Sequence, residues 1–346
     1  MCLDVVFDYK KGCVVVQIVW HVLFLVFGFV FLIKGADFFV VSSSSIARKF
    51  NVSPLLIGLT LVAFGTSLPE LAVSFAASIS AARQGMTADI AMGNVMGSNI
   101  ANLTLILGFA ALVMPMTVRS SLFRKELPFL FAITIVFAVF SYHFQAEAMI
   151  ARWEALILLG LFALYMYMSI KGSKNIDEVE EIKVINVKHA IIFLVIGLAG
   201  VSLGGWLVTT GAEFIAIELL MKAFAVEQSR ATVLVGLSVV ALGTSLPELV
   251  TSAVAAKKGE NEIAIGNIIG SNIFNTLLIV GLAGIVTPLG ISGDVLSDIY
   301  ILFGIMIVVL IVCLTGRRVM KGEGVLLLVI YVSYITYIIL RGIGRI

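Results

Sequence analysis

Long apolar runs broken by short polar ones dominate the chain. Ten can be marked, at roughly residues 14–47, 54–82, 88–114, 127–143, 149–170, 189–222, 231–256, 262–286, 295–315 and 323–340. Most hold ~20 residues or more, the length an α-helix needs to cross the hydrocarbon core of a bilayer. A transmembrane barrel would instead read as ~10-residue segments of alternating hydrophobicity, so that class is excluded. The pattern predicts an all-α integral membrane protein of ten transmembrane helices. The first run is longer than a bilayer requires, which predicts a helix that tilts or protrudes. Lys10 and Lys11 ahead of it mimic a signal peptide. The run extends well past ~15 residues with no small-residue cleavage site, however, and reads as the first span. Ser53 and Pro54 open the second run as an N-cap and a first-turn proline.

The polar positions divide the chain. The longest connection, KGSKNIDEVEEIKVINVK at 171–188, separates five runs from five. The halves repeat each other in order. GTSLPEL at 65–71 returns letter for letter at 243–249, GNVMGSNIAN at 93–102 answers GNIIGSNIFN at 266–275, and GAD at 35–37 answers GAE at 211–213. The expected organisation is a five-helix repeat over 1–170, a linker over 171–188 and a second five-helix repeat over 189–346. An odd number of spans per repeat makes the second half enter the membrane from the opposite side. That inverted-topology plan is the plan of many secondary transporters, with the substrate site near the midplane between halves. Fourteen Lys and Arg lie in the loops after the first, third, fifth, seventh and ninth runs, against eight on the opposite face. The richer face should be cytoplasmic, which puts the linker inside and both termini outside a cell membrane, although Lys10 and Lys11 argue locally the other way.

Composition narrows this further. The chain has 346 residues, 60% hydrophobic and 13% charged, with a mean hydropathy of +1.12. A net charge of +2 with no basic block gives no reason to expect nucleic acid, and the partners implied are the lipid bilayer and small ions. No obligatory protein partner is evident. Cys2, Cys13 and Cys313 are too few and scattered for a disulfide framework or a zinc site.

Glu70 and Glu248 fall deep inside the second and seventh runs. An acidic side chain at a helix centre costs ~2.5–3.5 kcal/mol even on the lenient insertion scale. A protonated glutamate bonded to a neighbouring helix would explain one such residue; a symmetric pair with identical neighbours is better explained by a cation site. Thr66 and Ser67 precede Glu70 by four and three residues and share its helix face. Pro69 cannot donate to the carbonyl of Gly65 and should distort the turn from Ala63 to Thr66, releasing backbone oxygens at the depth of the carboxylate. Thr244, Ser245, Pro247 and Glu248 repeat the arrangement. In the second motif Asn94, Ser98 and Asn102 form one stripe, and Asn267, Ser271 and Asn275 another. Gly93 with Gly97, and Gly266 with Gly270, are GxxxG pairs that should let backbones approach closely. Asn94 and Asn267 could serve as ligands or only as helix–helix contacts; the deeper Ser98, Ser271, Asn102 and Asn275 are candidate ligands. This all-oxygen set, free of His and Cys, selects hard cations, Ca²⁺ and Na⁺ before Mg²⁺ or Mn²⁺.

These motifs resemble the α-repeats of the calcium/cation antiporter superfamily, specifically its sodium/calcium exchanger branch. The resemblance covers essentially the whole chain. It implies a ten-helix fold with the second, third, seventh and eighth spans as a core around the ions, across which the first and sixth slide. It implies Glu70 and Glu248 as main Ca²⁺ ligands with the carbonyls of Thr66 and Thr244. Ser67, Ser245, Ser98, Ser271 and the carbonyls of Ala63 and Ala241 would serve Na⁺. Some members carry aspartate where this chain has Asn275, and in potassium-dependent relatives it is tied to K⁺ use, so its absence here argues against K⁺ co-transport. The linker is too short for the Ca²⁺-sensing domains of larger animal relatives, and its acids Asp177, Glu178, Glu180 and Glu181 read as a solvated loop.

The resulting expectation is a Na⁺/Ca²⁺ antiporter with no cofactor. The alternative is a Ca²⁺/H⁺ antiporter using the same glutamates, although hydroxyl and carbonyl ligands serve Na⁺ and a proton needs none of them. A channel would need no inverted repeat. An intramembrane enzyme would need a His or Lys near Thr66 or Ser67 to activate it, and none is near in sequence. Asp37 and Glu213 either line an ion vestibule or pair with a cation such as Lys34. His21, His143 and His189 lie away from the motifs.

Overall fold

The structure, a computed structural model, describes residues 2–143, 149–172, 186–223, 227–228, 235, 241–314 and 316–342. Most of the linker with its acidic run, and most of 231–240, lie outside the described residues. The helices are α1 (Cys2–Lys49), α2 (Pro54–Ile57), α3 (Ala63–Thr66), α4 (Leu68–Gln84), α5 (Asp89–Ala101), α6 (Leu107–Val113), α7 (Leu127–His143) and α8 (Arg152–Gly172) in the first half. The second holds α9 (Val187–Ala223), α10 (Ala241–Thr244), α11 (Leu246–Lys257), α12 (Asn261–Ile273), α13 (Val280–Val286), α14 (Gly293–Leu314) and α15 (Lys321–Gly342). Stretches of π-helix join several into continuous rods: Gly58–Val62 between α2 and α3, Asn102–Ile106 between α5 and α6, Leu122–Glu126 before α7, and Phe274–Ile279 between α12 and α13.

Among the described residues seven helices are long and apolar enough to cross a membrane, and eight if the pair Pro54–Thr66 and Leu68–Gln84, bent by 48°, is one span. The remaining expected spans are α7, at 17 residues, and the seventh apolar run, which is only partly described. The architecture is therefore all-helical and multi-pass, and the count of ten is not reached. The bend falls where Pro69 predicts it. Ser67 leaves the helix at φ −83° and ψ 8°, and Pro69 sits in the first turn of α4, where its missing N–H costs nothing.

Each half reaches into the other. Four two-residue strands form two antiparallel clasps: β1 (Met116–Thr117) pairs with β4 (Arg318–Val319), and β2 (Met149–Ile150) with β3 (Leu289–Gly290). Each joins a loop of the first half to a loop of the second. The capping of α8 and α15 is likewise repeated: Ala151 N–H donates to Glu154 Oε2 and Met320 N–H to Glu323 Oε2, both at 2.7 Å.

Helices α1 and α9 pack backbone against backbone. A Cβ on Gly35 would lie 2.6 Å from the nitrogen of Val201, and one on Gly204 would lie 2.5 Å from that of Leu32. Val19, Trp20, Ile192 and Trp206 on this pair remain exposed, as lipid-facing side chains do. The basic end of α1 is tied to the α11–α12 turn. Arg48 pairs with Glu260 at 2.7 Å and Ser44 Oγ donates to the same carboxylate at 2.6 Å. Asp37 pairs with Lys258 at 2.6 Å, a partner from the other half rather than Lys34.

At the far end, Arg341 Nη1 and Nη2 donate to the two carboxylate oxygens of Asp298 at 3.2 and 3.4 Å. Asp298 is only 4% exposed. Removing one partner of a fully buried pair costs ~3–5 kcal/mol; Arg341 keeps 17% side-chain exposure, so Arg341→Ala should cost less, about 2 kcal/mol. The measurement is thermal unfolding in detergent. The double variant Asp298→Asn/Arg341→Ala should recover part of the loss, because it removes the uncompensated charge.

Candidate functional site

The bend at Ser67 turns Glu70 inward from the first turn of α4, and its repeat at Ser245 does the same for Glu248 on α11. Both carboxylates are 1% exposed. Each is held by the serine of the opposite repeat: Ser67 Oγ donates to Glu248 Oε1 at 2.9 Å, and Ser245 Oγ donates to Glu70 Oε1 at 3.2 Å. Ser245 Oγ also lies 3.3 Å from Ser98 Oγ on α5. The two copies of GTSLPEL thus meet at one point, crossed over, with residues from α3, α4, α5, α10 and α11 converging there.

What these bonds leave over is oxygen. Glu70 Oε2, Glu248 Oε2, Asn102 Oδ1, Asn275 Oδ1 and Ser271 Oγ are all buried without a hydrogen-bond partner. Other buried atoms, Ser42 Oγ and Thr251 Oγ1 among them, share this state; what sets these five apart is that all belong to the two repeated motifs and can accept from a cation. Among the described residues no cluster of three or more His, Cys, Asp or Glu side chains exists. The set is two carboxylates with hydroxyl and amide oxygens, which suits hard cations and not a transition metal.

The remaining predicted residues fall close by. Thr66 is fully buried and its hydroxyl donates to Asn267 Oδ1 at 3.0 Å. Thr244 ends α10 immediately before Ser245, and Ala241 opens the same short helix. The carbonyl of Ala63 is not released as the proline argument expects. It accepts the N–H of Ser67 at 3.0 Å, and the Thr66 hydroxyl, whose proton goes to Asn267 Oδ1, lies 3.4 Å from it. At the counterpart, Ser245 N–H reaches Leu242 O at 3.2 Å.

Asn94 and Asn267 are supports in this conformation. Asn94 Nδ2 donates to the carbonyl of Glu70 at 3.3 Å and to Ser74 Oγ at 3.0 Å, and Asn267 Nδ2 donates to Ser252 Oγ at 2.9 Å. Ser74 and Ser252 each sit one turn beyond their glutamate, a spacing readable in the sequence but not singled out. Two further features escaped sequence reading. Asn99 Nδ2 donates to Thr276 Oγ1 at 3.1 Å, joining α5 to the other half. Asn102 and Asn275 both lie in π-helical stretches, where the extra residue per turn re-aims side chains, and no local sequence signal announces such a stretch.

The second GxxxG pair behaves as expected. A Cβ on Gly266 would lie 2.7 Å from Leu55 O, and one on Gly270 2.6 Å from Leu59 O and 2.7 Å from Ala63 Cβ. At Gly93 and Gly97 no such approach is found among the described residues. The segment that corresponds to Leu55–Leu59 in the second half lies mostly outside them. His21 stacks on Phe214 with ring centroids 3.9 Å apart, away from the site; the His143 side chain lies outside the described residues.

Comparison with known proteins gives a consistent picture. The sequence pattern of the family described as sodium/calcium exchanger protein matches twice, over residues 20–171 and 189–340. The chain is 34% identical over 353 residues to the sodium/calcium exchanger MaX1 of Methanosarcina acetivorans, covering 90% of this chain and 97% of that protein. It is 34% identical over 310 residues to the inner membrane protein YrbG of Escherichia coli, covering 87% and 90%. Its fold is similar to a solved structure of the sodium-calcium exchanger NCX_Mj soaked with zero Na⁺ and Ca²⁺. The TM-score is 0.76 at 30% identity, over 92% of this chain and 99% of that one.

Proposed function

Because the chain belongs to the sodium/calcium exchanger protein family, we propose that this membrane-embedded antiporter exchanges Na⁺ for Ca²⁺ by alternating access at a single shared site. The observation that carries the proposal is the crossed pair of bonds from Ser67 to Glu248 and from Ser245 to Glu70, with one oxygen of each carboxylate left open. Two negative charges match one Ca²⁺ or two Na⁺. Occupancy by one ion set or the other is the physical basis of exchange.

In this reading Glu70 and Glu248 are the main Ca²⁺ ligands, with the carbonyls of Thr66 and Thr244. Ser67, Ser245, Ser98 and Ser271, with the carbonyl of Ala241 and the second lone pair of the Ala63 carbonyl, whose first accepts from Ser67 N–H, serve Na⁺, and Asn102 and Asn275 supply amide oxygens to the centre. When the site empties, the serine hydroxyls turn from ion to carboxylate, which limits the cost of two buried charges. Residues 1–170 and 189–346 act as the inverted repeats, in a cell membrane with both termini outside and the linker cytoplasmic. The switch is a movement of α1 with α9. Their glycine-lined contact makes them one unit, whereas the two strand clasps hold the other helices together.

The test is reconstitution in sealed vesicles and measurement of ⁴⁵Ca²⁺ uptake against an outward Na⁺ gradient, an outward proton gradient, or neither. Uptake should require the Na⁺ gradient. Uptake driven only by protons would overturn sodium coupling and leave the Ca²⁺/H⁺ alternative.

A further inference from the structure

A cavity of about 380 Å³ lies away from the ion site. It is bounded by the first turns of the rod that starts at Pro54, by the π-helical turn leading into α7, and by the last turns of α8. All three are ends of expected membrane spans on the face rich in Lys and Arg, the level at which lipid head groups are expected. Its walls are two-sided. Lys125, Glu126 and Tyr165 supply an ammonium, a carboxylate and a phenol, while Leu59, Phe129 and Met168 supply apolar surface. Tyr165 OH donates to Glu126 Oε2 at 3.2 Å, and Lys125 forms no ion pair with any described residue.

The second repeat shows what such a place wants. Tyr165 corresponds to Tyr334, and the capping acids Glu154 and Glu323 stand at the same separation. Glu126 corresponds to Asp298, because the π-turn at Leu122–Glu126 shifts the register by one residue. Buried Leu127, Leu130 and Phe137 then match buried Ile299, Leu302 and Val309. In that repeat the acid is occupied from within: Arg341 reaches Asp298 with two hydrogen bonds, and its guanidinium lies 5.3 Å from the ring centre of Tyr337. The residue corresponding to Arg341 in the first repeat is Gly172, the last residue of α8. Among the described residues the first repeat therefore has the acid, the tyrosine and the space, with Lys125 at the wall and no counterpart of Arg341 paired to Glu126.

We propose that this cavity binds the head group of a zwitterionic, primary-amine phospholipid from the surrounding bilayer. The ammonium takes the place against Glu126 that the guanidinium of Arg341 takes against Asp298, and Lys125 receives the phosphate. The apolar wall of Leu59, Phe129 and Met168 receives the glycerol and upper acyl chain. The adjacent acid and base select this class: a purely anionic head group would meet the Glu126 carboxylate, and a quaternary amine could not hydrogen-bond to it. A volume of about 380 Å³ is within the usual range of small-molecule sites.

The test uses the full chain, delipidated in detergent, and reads thermal unfolding and lipid retention by native mass spectrometry. Phosphatidylethanolamine should raise the melting temperature and remain bound to a greater extent than phosphatidylcholine or phosphatidylglycerol. Glu126→Gln should remove the preference for ethanolamine over choline, and Lys125→Gln should weaken retention of both. Ser169→Trp, which fills the cavity from α8 without touching either charge, should eliminate the shift. Equal stabilisation by all three lipids, a stronger effect of phosphatidylglycerol, or an ethanolamine preference that survives Glu126→Gln would overturn the proposal. So would an equal shift with soluble phosphoethanolamine, which would make the occupant a free metabolite and not a lipid.

Discussion

Glu70→Gln and Glu248→Gln should each bring Na⁺-driven ⁴⁵Ca²⁺ uptake down to the background of protein-free vesicles. Each substitution keeps the side-chain volume and an oxygen that can accept from Ser245 or Ser67, so the fold should survive. What it removes is one of the two buried charges. Even between unit charges ~4 Å apart, with an effective dielectric constant of ~20, attraction amounts to ~4 kcal/mol, about a thousandfold in binding. Ca²⁺ carries twice that charge. The electrostatic loss therefore far exceeds any gain from removing a buried carboxylate that must otherwise be desolvated. Thermal unfolding without ions should be unchanged or slightly raised. If both variants transport at the normal rate, the site lies elsewhere.

Gly270→Val should lower uptake at least tenfold and lower the melting temperature together with it. The new Cβ would lie 2.6 Å from Leu59 O and 2.7 Å from Ala63 Cβ, both on the rod that ends in Thr66 and Ser67. Backbone cannot move aside as a flexible side chain can. The helices must separate, and overpacking of this kind costs ~1–3 kcal/mol. The separation falls between Ser271 on one side and Ala63 to Ser67 on the other, so it displaces candidate ligands from both repeats. Gly293→Val, where nothing stands within 4 Å of the added Cβ, is the control and should leave uptake unchanged. Normal transport by Gly270→Val would show that the α12 contact does not set the site's geometry.

Particular residues show how far sequence reading reached. Glu70 and Glu248 could be found because a carboxylate in an apolar run is costly enough to demand a reason, and the repeat gave the same reason twice. Ser67 and Ser245 followed from helical spacing. Pro69 correctly predicted a bend, but not the state of the Ala63 carbonyl, since whether a freed carbonyl stays open depends on which N–H swings beneath it. Asp37 shows a different limit. Its partner Lys258 is 221 positions away, and only the packing of α1 on the second half brings them within 2.6 Å. The π-helical stretches at Asn102 and Asn275 were invisible because the dihedral change behind them is small, shared among several residues and selected by packing.

By itself the sequence determined the lipid surroundings, the long apolar helices and the repetition of one set of motifs in two halves, and it set the expectation of an inverted repeat around a cation site. Each follows from quantities local to the chain: apolar length against bilayer thickness, helical period, repeat order, and the cost of a charge out of water. The tertiary structure alone decided that each glutamate is held by the serine of the other repeat. It also decided that Glu70 Oε2 and Glu248 Oε2 stay unpaired and that Arg341 reaches Asp298. Such pairings join atoms far apart in sequence, and their energies depend on distances of a few ångströms that no pattern along a chain specifies.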